Sequence, residues 1–181
     1  MKKEFVKLSA VLCLITLVAA LVLAGVNFIT APVIEKAEIQ ASKDAMFKIL
    51  PEADDFIDSD TDENLKVAVK DDTIIGFCAK VTTTGYGGDI VMMIGVDENL
   101  IVQGIEVLSH SETAGLGAKI TEEKFKNQFK DKLLVGLKVV KGKTQSPDEF
   151  EAVTGATISS RAVETGINLA KEMIEREVGA K

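Results

Sequence analysis

The stretch LKVAVKDDTIIGFCAKVTTTGYGGDIVMMIGVDENLIVQGIEVL, residues 65–108, decides the fold of this chain. Much of it alternates apolar and polar residues with period two, the signature of a half-buried strand. Leu65, Val67 and Val69 run to a turn at Asp71 and Asp72, and a second strand follows over 73–81. Residues 90–96 and 100–108 flank another turn at Asp97, Glu98 and Asn99. Four strands with short connections predict an antiparallel β-meander.

Helical periods lie on either side. Thr30-Ala31-Pro32 reads as a helix start, with Pro near the first helical position. Ile34, Ala37, Ala41, Ala45 and Ile49 then form one apolar face, and Pro51 ends it. Residues 52–63 are acidic and turn-rich. Beyond the meander, 121–129 reads as a helix with Phe125 and Phe129 on one face, and 133–141 as a strand. After Thr157 an amphipathic helix carries Val163, Ile167, Ala170 and Ile174 as its apolar stripe. The body, residues 31–181, is therefore predicted to be one α+β domain.

Residues 8–34 hold no charge. As a helix, residues 8–29 would span roughly 33 Å, enough for a ~30 Å hydrocarbon core. A cleaved signal would usually have an apolar region of only about 7–15 residues. A lipoprotein signal is also excluded, because Val26 stands where the acylated cysteine would be. Residues 1–30 are thus expected to be a cytoplasmic tip and a retained transmembrane helix. Lys2, Lys3 and Lys7 precede the segment, whereas Lys36 and Lys43 are mixed with Glu35, Glu38 and Asp44. That bias predicts a cytoplasmic N-terminus, with the body extracytoplasmic at the cell (inner) membrane.

The net charge is -7; Lys2, Lys3 and Lys7 against Glu4 give +2 before residue 30, so the remainder carries -9. An acidic body with scattered lysines excludes nucleic acid as a partner. Of the two cysteines, Cys13 lies in the apolar segment, leaving Cys78 as a lone residue expected in the core. With His110 the sole histidine, no zinc or haem site is expected.

Three segments gather glycine and hydroxyl residues between regular elements: 82–89 around Gly85-Tyr86-Gly87-Gly88, 110–119 around Glu112-Thr113-Ala114-Gly115-Leu116-Gly117, and 151–160 around Thr154-Gly155-Ala156-Thr157-Ile158-Ser159. The last leads into a helix, where free N–H groups and the dipole favour a phosphate. The alternative is an ordinary helix cap made by Thr157 or Ser159. The first segment is neither a Walker loop nor a dinucleotide fingerprint, since neither spacing follows.

These segments, in this order after a membrane helix, resemble the covalent FMN-binding domain of the Rnf electron-transport complex G subunit. The C subunit of the sodium-pumping NADH:quinone reductase is similar. The carrying residues are Gly85 to Gly88, Glu112 to Gly117 (with Ala114 where Pro is usual) and Thr154-Gly155-Ala156-Thr157. The resemblance implies FMN joined to Thr157 by a phosphoester. It implies contacts from Thr154, Gly155, Ala156, Ile158, Ser159, Gly85, Tyr86, Gly87, Glu112, Thr113, Gly115, Leu116 and Gly117. Glu151 stands where the family's flavin-transferase motif commonly has Asp. The implied function is an electron relay in a membrane-bound Rnf-type complex, which couples ferredoxin:NAD+ electron transfer to ion translocation. Its implied partners are the other subunits, a flavin transferase and the bilayer. No catalytic residue and no metal site is expected in the chain itself. A membrane-tethered FMN reductase of a small extracellular acceptor and a flavin-free scaffold are the alternatives.

Overall fold

A computed structural model describes residues 2–179. Met1, Ala180 and Lys181, where the expected segments begin and end, lie outside the described residues, as do the side chains of the flanking Lys2 and Lys3. The chain divides into two compact units, residues 1–40 and 41–181. Among the described residues, one helix is long and apolar enough to cross a membrane.

That helix, α1, runs unbroken over Lys2–Ile49 with Pro32 inside it. The expected helix start at residues 30–32 is therefore corrected. Proline suits the first turn of a helix, but lipid-embedded helices also tolerate it internally when other groups satisfy the freed carbonyls. The carbonyl that Pro32 leaves without its helical donor is that of Phe28, and one turn earlier Thr30 Oγ1 donates to the Val26 carbonyl at 3.0 Å. The helix stops at Ile49, two residues before Pro51, as expected.

The meander has five strands: β1 (Asp55–Asp58), β2 (Leu65–Lys70), β3 (Thr73–Thr84), β4 (Asp89–Asp97) and β5 (Val102–His110), in that spatial order. Every pairing is antiparallel. β1 lies in the stretch read from sequence as acidic and turn-rich. It is a short edge strand whose residues are mostly exposed, so alternation hardly marks it.

Beyond the sheet come a 3₁₀ turn (Gly117–Thr121), α2 (Glu123–Lys126), β6 (Lys138–Val140), β7 (Glu149–Glu151) and α3 (Thr157–Gly179). The helix expected over 121–129 is thus a single turn, yet Phe125 and Phe129 still meet edge-on at 5.4 Å and enclose Phe150. The strand expected over 133–141 shrinks to 138–140. Gly136 takes a left-handed φ of +87° and bends the chain, and β6 pairs in parallel with β7.

Both sheet faces are covered. Val81, Met92 and Ile94 pack in one core with Val163, Ile167, Ala170 and Ile174 of α3, the predicted stripe. On the other face, Ala45, Met46, Ile49 and Leu50 close over Ala68, Cys78 and Met93. Two glycines make room there. Gly95 and Gly104 are cross-strand partners, and a Cβ on Gly95 would stand 2.3 Å from Ile49 Cγ2. Cys78 is fully buried, and burial pushes its thiol up to about 12, which leaves it an inert core residue.

Gly95→Ala is expected to destabilise the protein by about 1–3 kcal/mol through overpacking. The measurement is chemical denaturation of the full chain in detergent. Adding Ile49→Ala should recover part of the loss; a double mutant no better than the sum of the two single losses would refute the fit.

Candidate functional site

Three loops meet at one end of the sheet: the β3–β4 turn, the segment after β5, and the segment between β7 and α3. The first is tight, with the Gly85 N–H donating to the Gly88 carbonyl at 2.8 Å. In the second, the Leu116 and Ala118 N–H groups both donate to the Thr113 carbonyl at 3.2 Å. The third turns at Gly155, whose φ of +79° is left-handed and favours glycine.

The buried carboxylate of Glu112 joins them. Its Oε1 accepts from the N–H groups of Tyr86 at 2.7 Å and Gly87 at 3.1 Å, and its Oε2 accepts from Ser159 Oγ at 2.7 Å. Two glycines make room for this residue: a Cβ on Gly85 would lie 2.1 Å from Oε1, and one on Gly117 2.1 Å from Oε2. A Cβ on Gly87 would strike the Ser111 carbonyl, also at 2.1 Å. The space left at these three glycines is occupied by the chain's own Glu112 and Ser111. Burial pushes the Glu112 carboxyl up, but the hydrogen bonds from Ser159, Gly87 and Tyr86, with a smaller contribution from nearby His110, outweigh it. The net effect holds the carboxyl below its usual range. His110 Nδ1 accepts the Glu112 N–H at 3.1 Å.

Beside this clasp lies a groove of about 470 Å³, lined by Tyr86, Glu112, Thr113, Leu116, Gly117, Gly155, Ala156, Thr157, Ile158 and Ser159. Its volume falls in the ~300–1,000 Å³ range of small-molecule sites. Tyr86, Leu116 and Ile158 leave exposed apolar surface around it. The structure thus brings ten of the residues named from sequence to one cavity. Gly85 and Gly87 stand behind the clasp, and Gly115 is a left-handed turn residue in open space. Glu151 and Thr154 instead line a neighbouring depression of about 220 Å³, with Lys119, Lys124 and Gln128.

The α3 start is unusual. Ala156 occupies the cap position, since its carbonyl accepts the Ser160 N–H at 3.1 Å. Alanine has no side-chain acceptor, so the first N–H groups of α3 receive no cap from it. Ser159 does not cap either, because its hydroxyl is given to Glu112. Two residues outside the sequence-predicted set also shape the site. Ser160 accepts the Val153 N–H at 2.9 Å and donates to the Ala156 carbonyl at 3.0 Å. Gln128 holds the Glu151 backbone from both sides, at 2.7 and 3.3 Å. No sequence period marks either residue. Thr157, the first residue of α3, is half-buried, and among the described residues its hydroxyl has no partner.

The fit to FMN is chemical. A phosphate suits an uncapped helix N-terminus. A flat apolar ring suits the Tyr86, Leu116 and Ile158 surface. Residues 85–172 match the FMN-binding domain family, which gives the class of protein: a flavin-binding domain behind a membrane helix. Residues 1–49 match the RnfG N-terminal region. The chain is 34% identical to the G subunit of the proton-translocating ferredoxin:NAD(+) oxidoreductase complex of Clostridium ljungdahlii, over 91% of this chain and 88% of that one. It is 32% identical to the G subunit of the Na(+)-translocating complex of Acetobacterium woodii, over 96% and 93%. The C subunit of the Na(+)-translocating NADH-quinone reductase of Parabacteroides distasonis superposes with a TM-score of 0.50 at 28% identity, over 57% of each chain. The chain belongs to the G-subunit family of ion-translocating ferredoxin:NAD(+) oxidoreductase complexes. Among the described residues it has a single membrane-spanning helix, α1.

Because the Glu112 pKa is lowered on folding, its contribution is full above the ordinary carboxylate range and is lost as pH falls through the folded value. Glu112→Gln is expected to cost about 1–3 kcal/mol at neutral pH. Thermal unfolding of both proteins across pH checks this, and the gap should close on acidification. A gap that persists unchanged in acid would contradict an ionised clasp.

Proposed function

We propose that the Thr157 hydroxyl accepts FMN as a phosphoester, and that the loaded domain relays electrons within an ion-translocating ferredoxin:NAD+ oxidoreductase complex. One observation carries the reading. Of the hydroxyls in the first turn of α3, those of Ser159 and Ser160 are committed to internal bonds, whereas that of Thr157 is free at the groove. Attachment is the work of a separate flavin transferase, which transfers FMN from FAD with Mg²⁺. The hydroxyl oxygen bonds to the FMN phosphorus, AMP leaves, and the hydroxyl proton is released.

Bound FMN supplies the electron-carrying chemistry. The chain's own residues position it. The α3 N-terminus offsets the phosphodiester charge, and Tyr86, Leu116 and Ile158 offer the ring an apolar bed. Glu151, exposed in the adjoining depression with Thr154, is a recognition point for the transferase. A relay is favoured over a reductase because the groove presents no free acid–base pair: Glu112 is locked by three donors, and His110 Nδ1 is engaged. Ion passage belongs to other subunits, since residues 8–34 of α1 carry no charge.

Thr157→Val is expected to abolish covalent flavin in protein coexpressed with the transferase, Thr154→Ser to retain it, and Glu151→Ala to reduce it at limiting transferase. Flavin fluorescence in denaturing gels, with peptide mass mapping and circular dichroism, reads all three. Flavin persisting in Thr157→Val, or a flavin mass on Thr154, Ser159 or Ser160 of the parent, would sink the assignment.

The basic residues ahead of the apolar run support a domain outside the cytoplasm. A reporter fused after Lys181 should be active only on the extracytoplasmic side, with the N-terminal segment retained. A mature chain beginning near Gly25 would defeat the anchor.

A further inference from the structure

Glu112 is the one buried ionisable side chain among the residues lining the groove. No lysine or arginine lines that groove with it. Three donors hold the carboxylate: two backbone N–H groups and the Ser159 hydroxyl. It cannot swing into solvent without breaking all three. The nearby opposing groups are His110, whose Nδ1 accepts the Glu112 N–H at 3.1 Å, and the positive end of α3, which in the FMN reading already faces the phosphodiester on Thr157.

We infer that Glu112 is a positioning residue whose carboxylate, fixed in the groove wall, also holds the redox potential of the bound flavin low. The inference rests on the reading of this groove as the FMN site. Reducing the flavin with two electrons from a redox partner and one proton from solvent adds one negative charge. A carboxylate fixed nearby in the groove wall disfavours that added charge and so favours the oxidised form. The groove thus contributes to the driving force with which the relay passes electrons on, besides binding.

The test is a redox titration of the full chain, loaded with FMN by coexpression with a flavin transferase and followed by flavin absorbance against a reference dye. Glu112→Gln keeps the shape and can still accept from the Tyr86 and Gly87 N–H groups, but carries no charge. Its potential should move positive, with a reduced-to-oxidised ratio about tenfold higher at a fixed potential. Ser159→Ala loosens the same clasp but keeps the charge and removes a donor that neutralises it. Its potential should lie at or below that of the parent. Glu112→Gln titrating with the parent, or both variants moving positive together, would overturn the inference, the second by showing that loosening alone is responsible. If Glu112→Gln fails to load, Ser159→Ala decides: a positive shift overturns the inference, and a potential at or below the parent's upholds it. A parent without flavin on Thr157 overturns the FMN reading, and this inference with it. A loaded parent with an unresponsive Glu112→Gln overturns the inference alone.

Discussion

The Glu112 carboxylate takes hydrogen bonds from two loops that are far from it in sequence, one 25–26 residues earlier and one 47 residues later. A buried charge is costly unless it is fully bonded, and here it is bonded by three donors. The surrounding residue types follow from that need. Gly85 and Gly117 leave the volume that the two oxygens occupy, and Ser159 supplies the buried side-chain donor. Each charge-assisted bond contributes about 1.5–3 kcal/mol, so the loops are ordered as part of folding. A ligand then meets a preformed wall and bears less of the ordering entropy.

The sheet beneath the loops is held on both faces. α3 covers one, while the last turns of α1 cover the other through Ile49, seated on the glycine pair of β4 and β5. Charges reinforce this second contact. Lys48 meets Glu106 at 2.6 Å, and the buried Lys126 meets both Glu106 and Glu123, at 2.9 and 2.8 Å. The Lys48 pKa is raised, chiefly by its hydrogen bond to Glu106. Because β3 and β4 are buried on both sides, β3 reads as a continuous buried run over Gly76, Phe77, Cys78 and Ala79 instead of a clean alternation.

What was legible in the sequence was what repeats locally. The meander showed through its period of two, and α3 through the spacing of Val163, Ile167, Ala170 and Ile174. The three loops were legible as clusters of small residues. Features set by distant contacts were not. β1 is held by its pairing with β2 and lacks a marked apolar face, and β6 and β7 pair in parallel across a loop. Pro32 carries the same local signal whether it opens a helix or sits within one. Glu112 was named as a flavin contact, but its work as a clasp depends on donors from two other loops.

The hydroxyls around the start of α3 explain why a modifying enzyme would find one acceptor among several. Ser160 ties the loop to the helix, Ser159 ties the helix to Glu112, and Thr154 opens onto a different depression. Thr157 is left at the groove beside an uncapped helix end, so position alone distinguishes it. Position does not supply activation, however. Transfer of a phosphoryl group to an alcohol needs a base to take the proton or a metal ion to stabilise the developing charge. The one carboxylate lining the groove is fully engaged as an acceptor, and among the described residues no cluster of His, Cys, Asp and Glu could hold a metal. The proposed attachment therefore divides the work between two proteins. In that proposal this chain would select the hydroxyl by geometry, and the transferase would bring the base and the metal that make it react.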